Sequence, residues 1–391
     1  MTGSHALDKS IYYLLMLYAF SSTISIAASN ISISLALCLL LFRYYRKPFA
    51  IEFPKGLAIV IGLFFATALV SAIFAYQPLV AFERVWAYLF RMAPLILTVF
   101  IVREPKQVTQ LMLVLSASIM ISDIYAIWQG LHGNYRASAF SSHPMILAGF
   151  LLQLIPLFLV FAVEDKKLSY KVRYFLYFVS GLSCLALLFN GTRGAWLAVA
   201  FTTIMYAILS LKRNPKRTMV VLLVLVLVVG SVIGLSKILH ERMDSITDIA
   251  HSANAERVLM WKSAWHMFAD HWLLGVGPNN YGELYRSQYI LPEAQERGLG
   301  HAHNNYLHTM AELGIVGFMT FCLMFGYILY TKYSDASNGQ VWGTAVMLVT
   351  VSLLIQGVTE YNFGNSAVMR LYWFILGLSY TQAALKNRID R

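Results

Sequence analysis

The sequence predicts an all-α polytopic integral membrane protein with about 12 transmembrane helices and one long, partly helical outer loop. Of its 391 residues, 58% are hydrophobic and only 13% are charged, and the mean hydropathy is +0.62. Charge-free runs of about 20 residues recur along the chain, which is the length that an α-helix needs to cross the hydrocarbon core of a bilayer. This composition excludes a soluble globular protein and a disordered one.

Twelve apolar segments are the candidate spans, and the second of them is the shortest. The predicted organisation places spans 1–9 in residues 1–238, the long loop in residues 239–312, and spans 10–12 in residues 313–391. The approximate bounds of the twelve segments are 11–28, 31–44, 56–74, 85–102, 108–131, 144–163, 172–189, 194–211, 218–238, 313–331, 341–359 and 369–385.

The distribution of Lys and Arg predicts the orientation of the chain. These residues are concentrated in one set of alternate loops and at both termini, and the short loops of the other side hold only Arg84, Arg136, Arg193 and Arg370. Because short cytoplasmic loops retain positive charge, we expect both termini in the cytoplasm and the long loop outside. The net charge of +11 therefore does not indicate a nucleic-acid partner, since the cations share no single face or segment.

The long loop is the only segment with the composition of a soluble protein, and loops of this length are usually functional. From residue 239 to residue 302 it has eight acidic and five basic residues, so any anion that it binds must be met by individually placed arginines. Asn254–Asp270 is predicted as an amphipathic helix, with Arg257, Trp261 and Trp265 at i, i+4 and i+8 on one face.

Arg257 is the first candidate within this loop. A cation near aromatic rings in a membrane-proximal helix suits a lipid diphosphate and its first sugar. An ion pair with Glu256 and a cation–π contact with Trp261 are the alternative interpretations.

The segment Asn190–Trp196 is predicted as a tight outer turn that places Arg193 at the start of a helix. There the guanidinium and the free N–H groups of the helix N-terminus would both face an anion. The alternative is an interfacial anchor, with Arg193 reaching the headgroups and Trp196 in the aromatic belt.

The segment Gly275–Tyr281 contains two glycines, but no strand precedes it and Pro278 interrupts a helix start. A dinucleotide loop is therefore disfavoured, and we predict a turn between loop helices.

The segment His301–His308 holds three histidines in eight residues. A metal site is a weak prediction, because no carboxylate follows in the sequence before Glu312. A single neutral histidine, with an ordinary pKa near 6.5, would instead serve as a general base beside an acceptor hydroxyl. Isolated surface histidines, without a function, remain an alternative.

Ionisable residues inside spans are costly unless they face the bundle interior or a wet cavity. Arg91 and Asp123 are two such residues, and we hypothesise that they pair or line one cleft, with structural support as the alternative. Glu360 and Arg370 flank the last outer loop, and solvated loop charges explain them equally well.

The pattern His303-Asn304, nine residues, then Gly314-Ile315-Val316-Gly317 resembles the HN-x9-GxxG signature of the bacterial O-antigen ligase family. O-antigen polymerases and protein O-oligosaccharyltransferases belong with this family. The turn Gly191–Trp196 and the placement of Arg257 before Trp261 also resemble family segments.

The resemblance implies a GT-C type glycosyltransferase in the bacterial inner membrane, with its active site facing the periplasm. Such an enzyme transfers O-polysaccharide from undecaprenyl diphosphate to a sugar hydroxyl of lipid A-core oligosaccharide, with inversion and without a metal or another cofactor. Arg193 and Arg257 are thereby implied at the donor diphosphate and His303 at the acceptor. We add Arg91 as a donor candidate. Asn304, Trp261 and Tyr306 are added as candidates for binding the acceptor or a sugar. The roles of His301 and His308 are left open.

Three other functions compete with this one. An O-antigen polymerase would share the donor but typically divides its function between two outer loops, whereas this chain has one. A protein O-oligosaccharyltransferase commonly carries a larger soluble segment. A transporter would show polar residues near the bilayer midplane and a duplicated half, and neither pattern is convincing in this sequence.

Overall fold

The computed structural model describes residues 2–48, 53–211, 252–298 and 300–389, together with a few isolated positions between 215 and 230. In these residues the chain forms helices and connecting turns, with no β-strand, so the all-α prediction is confirmed there. The helices are α1 (Thr2–Ser21), α2 (Ile26–Arg46), α3 (Lys55–Ile73), α4 (Pro78–Arg91), α5 (Ala93–Ile101), α6 (Pro105–Leu131), α7 (Pro144–Glu164), α8 (Tyr170–Asn190), α9 (Arg193–Leu211), α10 (Ser252–Asp270), α11 (Tyr281–Leu284), α12 (Asn305–Ser337), α13 (Val341–Gln356) and α14 (Ser366–Ile389).

Eight candidate membrane spans lie within the described residues. They are α2, α3, α4 with α5, α6, α7, α8, α9 and α12, each long and apolar enough to cross a bilayer, while α13 is apolar but shorter. The chain is therefore a polytopic membrane protein, as its composition predicts. The predicted span at 218–238 and the loop residues 239–251 lie almost wholly outside the described residues.

The fourth predicted span is two helices, not one. Helix α4 ends at Arg91, and α5 begins at Ala93 with Pro94 in its first turn. A proline has no N–H with which to continue the helical ladder, and its ring clashes with the carbonyl four residues earlier. The path therefore breaks at Met92, and Arg91 stands at the end of a helix.

Helix α7 is the centre of the bundle. Every residue from Ile146 to Glu164 is buried, because α8, α9, α13 and α14 all pack against it. A helix that is apolar on all sides is stable only in such a position or in lipid. Its N-terminal end, preceded by His143, is therefore held firmly by the helices around it.

The predicted pairing of Arg91 with Asp123 is wrong, because each side chain is hydrogen-bonded to other partners. Arg91 Nε donates to Ser366 Oγ at 3.0 Å, and Nη1 donates to the carbonyl of Phe363 at 2.9 Å. The carboxylate of Asp123 accepts from Ser183 Oγ on α8. Each buried polar group thus joins two helices of the bundle, and structural support, the alternative interpretation, describes both contacts.

Candidate active site

A cavity of about 550 Å³ opens at the end of the bundle where the candidate residues meet. Its walls come from the middle of α4, the α6–α7 connection with the start of α7, α10, the segment before α12, and the α13–α14 connection with the start of α14. The charged and histidine side chains that line it are Arg84, Arg136, His143, Glu256, Arg257, Glu296, His301, His303 and Glu360. Three arginines and three glutamates therefore face one space.

The two asparagines after His303 fix the local backbone. Asn304 caps α12, since its side-chain oxygen accepts from the N–H groups of Tyr306 and Leu307 at 2.9 Å each. Its Nδ2 donates to the carbonyl of Val358 at 2.9 Å. Asn305 N–H donates to the carbonyl of Gly357 at 2.7 Å. The start of α12 is thereby fastened to the α13–α14 connection, which carries Glu360.

His303 adopts a left-handed backbone conformation, with φ +46°. This region is uncommon for residues other than glycine, and such strain persists only where surrounding contacts impose it. The contacts of Asn304 and Asn305 on its C-terminal side are the ones that do so here. The strained position turns the His303 ring towards Glu360.

His303 and Glu360 form the central pair of the site, with 3.2 Å between Nδ1 and Oε2. Burial opposes ionisation of Glu360, but the hydrogen bond and charge of His303, with smaller effects of His301 and Arg257, outweigh it. The pKa of Glu360 therefore lies below its usual value, and the carboxylate is ionised at neutral pH. An ionised Glu360 holds the proton of His303 on Nδ1 and leaves Nε2 as an acceptor.

His301 lies against this pair, with its ring centroid 4.2 Å from that of His303. Its Nδ1 accepts from the backbone N–H of His303 at 3.3 Å. Burial and then the neighbouring His303 lower the pKa of His301 to about 3, so the ring is neutral at physiological pH. Ligand atoms of His301, His303 and Glu360 lie within 4.8 Å of one another. No carboxylate stands close to these histidines in the sequence, but the fold brings Glu360 beside them.

Gly314 explains the glycine part of the signature. Its φ of +63° and ψ of −167° break the regular path of α12, and the carbonyls of Ala311 and Glu312 turn outward. These carbonyls accept from the N–H groups of Val276 and Gly277 at 2.9 Å each. A Cβ on Gly314 would lie 2.3 Å from the carbonyl oxygen of Leu273, so only glycine fits this crossing.

The crossing ties the long loop to α12. Gly275 and Gly277 have positive φ, and a Cβ on Gly275 would meet the backbone of Glu312. The segment Gly275–Tyr281 is thus a turn between loop helices, as predicted, and its glycines serve close backbone approach. The result places α10, with Arg257, at a fixed position relative to the segment that carries His303.

Arg257 lies on α10 and lines the cavity. No hydrogen bond or ion pair joins its guanidinium to any other residue that the structure describes. The neighbouring Glu256 is engaged elsewhere, since its carboxylate accepts from the N–H groups of Gln295 and Glu296 at 2.9 and 3.3 Å. The predicted alternative of a Glu256–Arg257 ion pair is therefore not what the structure shows.

Arg193 stands at the start of α9 and does not line the cavity itself. Its Nη2 donates to Asn254 Oδ1 at 2.9 Å, one helical turn before Arg257 on α10. Gly191 ends α8 in a left-handed conformation, and a Cβ on Gly194 would lie 2.4 Å from Thr359 Oγ1. The Gly191–Trp196 turn therefore packs against both α10 and the connection that carries Glu360.

Four other predicted site residues lie outside the cavity lining, as does His308, whose role was left open. Arg91 is buried in its contacts with α14, Asn304 is the helix cap, and the hydroxyl of Tyr306 donates to the carbonyl of Leu354 at 2.8 Å. Trp261 is half-buried on α10. His308 is buried beside Tyr361, with ring centroids 3.7 Å apart. The contacts of Arg91, Asn304, Tyr306 and His308 are thus with the helices and connections around the cavity.

Arg84, Arg136 and Glu360 are among the lining residues that were not predicted as site residues. Arg84 has a buried Nε without a hydrogen-bond partner among the described residues. A signal for both arginines was present in the sequence, since both are among the few cations predicted in the short outer loops, where positive charge is disfavoured. The structure places Arg84 within α4. Glu360 gave no such signal, because its pairing with His303 spans 57 positions of the chain.

The part of the chain that carries most of these residues is similar to a known family. Residues 178–322 match a family model described as O-antigen ligase. The matched range extends from α8 into α12 and contains Arg193, Arg257, His303 and Gly314, whereas Glu360 lies beyond it. A search of curated proteins finds no match. The resemblance in the sequence motifs is therefore confirmed over this range.

Proposed function

We propose that the chain, whose residues 178–322 match a family model described as O-antigen ligase, is an O-antigen ligase. It transfers O-polysaccharide from undecaprenyl diphosphate to a sugar hydroxyl of lipid A-core oligosaccharide. The reaction takes place at the periplasmic face of the bacterial inner membrane, in a GT-C type protein with twelve spans and cytoplasmic termini. The observation that carries the proposal is an arginine without a partner among the described residues, Arg257, in the same cavity as the His303–Glu360 pair.

Proton transfer is assigned to His303. As the acceptor hydroxyl attacks the anomeric carbon, Nε2 of His303 takes its proton, and Glu360 stabilises the imidazolium that forms. The carbon–oxygen bond to the diphosphate breaks at the same time, and undecaprenyl diphosphate leaves from the opposite face. The anomeric configuration is thereby inverted.

Charge stabilisation is assigned to the arginines. The leaving diphosphate gains negative charge, and guanidinium groups fixed in advance stabilise that charge through strong, paired hydrogen bonds. Arg257 faces the cavity, and its positive charge acts on Glu360. Arg193 approaches from the start of α9, where Asn254 orients its guanidinium. We add Arg84 to this set, because its charge acts on His301 within the same cavity.

The cavity has an apolar wall that suits the lipid-linked substrates. Met145, Ile146, Met260 and Val368 form an apolar part of the lining, beside the charged groups. An apolar wall of this kind accepts the first isoprene unit of a polyprenyl donor or the apolar face of a sugar. The free energy for transfer resides in the diphosphate linkage, so the reaction requires no nucleotide.

The deciding experiment is transfer by the purified protein in lipid, with an undecaprenyl diphosphate-linked glycan as donor. We expect glycan on lipid A-core when that acceptor is present, and no lengthening of the undecaprenyl-linked chains when it is absent. We also expect EDTA to leave the rate unchanged, since the arginines supply the positive charge.

Each other outcome selects a different function. Lengthened undecaprenyl-linked chains without a core acceptor identify a polymerase, and glycan on an added acceptor protein identifies a protein O-oligosaccharyltransferase. No transfer with verified substrates favours a transporter. Loss of activity in EDTA with recovery on adding zinc or magnesium replaces the metal-free mechanism.

A further inference from the structure

We propose that His301, His303 and Glu360 form a reversible binding site for Zn²⁺ or a similar transition-metal dication, and that its occupation inhibits transfer. The cluster combines two imidazoles and one carboxylate, a ligand set that is common for zinc in proteins. Its ligand atoms lie within 4.8 Å of one another at the wall of the cavity. The binding part of this proposal stands on this geometry alone, and the inhibition part rests on the proposed function.

The distances need little adjustment to bind a metal. Zinc–nitrogen and zinc–oxygen bonds are about 2.0–2.2 Å, so two ligand atoms in a tetrahedral site lie about 3.3–3.5 Å apart. The 3.2 Å between His303 Nδ1 and Glu360 Oε2 is already close to this value. A shift of the His301 ring by at most about 1.5 Å brings the third ligand into place, and the fourth position faces the cavity, where water completes the site.

The charges of the cavity permit a bound dication. Arg84, Arg136 and Arg257 repel it, but Glu256, Glu296 and Glu360 line the same space and offset them. An open site of this kind, with three protein ligands and a water, exchanges its metal more readily than a closed site with four protein ligands. It therefore suits reversible occupation.

Inhibition follows from the chemistry of the imidazole ring. Without metal, the proton of neutral His303 is on Nδ1, where it bonds to Glu360, and Nε2 is free to accept. A metal ion that binds Nδ1 takes the place of this proton, and the ring proton moves to Nε2. The neutral ring then has no free nitrogen with which to take the proton of the acceptor hydroxyl, so the base is lost.

Binding is tested first, without substrates. The purified protein in lipid is titrated with Co²⁺, which reports tetrahedral ligation through its visible absorption, and with Zn²⁺ in a calorimeter. We expect one tight site per chain. His301→Gln and Glu360→Gln should each weaken binding about 10- to 100-fold or more, because each removes a ligand. The matched control is His271→Gln, an exposed histidine at the end of α10, which should leave binding unchanged.

Inhibition is tested second, with the transfer assay. Zinc should inhibit the wild-type protein, EDTA should restore it, and the zinc concentration for half-inhibition should match the dissociation constant measured without substrates. Equal zinc binding by wild type, His301→Gln and Glu360→Gln would overturn the site. Ligand-dependent binding without inhibition would overturn only the proposed effect on transfer. If the protein transfers nothing, the binding titration still decides the site.

Discussion

The buried cations of the helix bundle and the cations of the cavity differ in their partners. In the bundle, Arg91 donates to Ser366 and Phe363, and Lys332 pairs with Asp335 at 2.9 Å and lies over the ring of Tyr380. In the cavity, neither Arg257 nor the Nε of Arg84 has a hydrogen-bond partner among the described residues.

The difference is informative because an unpaired charge out of water is expensive. A cation whose hydrogen bonds are met by protein is part of the scaffold, whereas one that faces a cavity without such partners is available to a ligand. The four predictions below test that distinction, and they are ordered by the size of the expected effect.

Arg257→Ala should have the largest effect. Removal of one preorganised donor to a developing negative charge typically lowers the rate about 10²–10³-fold. We expect a loss of this size in kcat/KM for transfer, with thermal unfolding unchanged, because no described residue loses a hydrogen-bond partner.

The control for Arg257 is Lys262→Ala, an exposed cation on the same helix, which should keep full activity. Near-normal transfer by Arg257→Ala would contradict the inference that a cavity cation without a protein partner binds the substrate. If the loss of transfer is accompanied by unfolding at a lower temperature, Arg257 has a structural role.

Arg91→Ala should act on stability. The change leaves the carbonyl of Phe363 without its donor and opens space between α4 and α14, at a cost of about 2–4 kcal/mol. We expect a lower midpoint of thermal unfolding in detergent, and the protein that remains folded should transfer at close to the normal rate.

Lys106→Ala, at an exposed position near the start of α6, is the control for Arg91 and should unfold like the wild type. If Arg91→Ala instead kept its stability and lost donor binding, Arg91 would be a donor residue after all.

Arg84→Ala should have a smaller effect on transfer than Arg257→Ala. We expect a decrease of about 10- to 100-fold in kcat/KM, since one of several charge-assisted contacts is lost. Because the contact is to the donor, the KM for the lipid-linked glycan should rise while the KM for the acceptor does not.

Glu83→Gln, an exposed neighbour on α4, is the matched control and should leave both KM values unchanged. A rise in the acceptor KM alone would place Arg84 on the acceptor side of the cavity.

Local patterns in the sequence were sufficient for much of this architecture. Hydropathy located the described spans, and the histidine signature located His303. The break at Met92 was not predicted. Hydropathy identifies a span by its length and composition, and these are unaffected by a proline that divides the helix. The turn at Gly275–Tyr281 was predicted, but its contact with Gly314 was not, since backbone crossings leave no local pattern.

The site was harder to predict than the fold for the same reason. Arg257 and His303 lie in recognisable motifs, whereas Glu360 becomes a partner only when α13 and α14 bring its connection against the start of α12. The contacts of Arg91 were not predicted, because a charge in an apolar span indicates burial in protein without identifying the partners. Its partners, Ser366 and the carbonyl of Phe363, are ordinary polar groups that no sequence pattern marks.

Without added metal, His301→Gln should have the smallest effect of the four variants, and we expect it in the pH dependence of stability. The pKa of His301 is lowered from 6.5 to about 3 on folding, first by burial and then by His303. The unfolded chain therefore binds more protons between these values, and the folded protein loses stability as the pH falls below about 6.5. At pH 5 the contribution of this residue is a loss of about 1–2 kcal/mol.

A glutamine side chain cannot take up this proton, so the decrease in unfolding temperature between pH 7.5 and pH 5 should be smaller in His301→Gln than in the wild type. The expected difference is about 2–8 °C. His271→Gln replaces an exposed histidine, and its unfolding temperature should decrease between pH 7.5 and pH 5 by as much as that of the wild type. An equal decrease in His301→Gln and wild type would mean that His301 is solvated and free to charge. The cavity would then be more open to water than the half-buried position of this ring indicates.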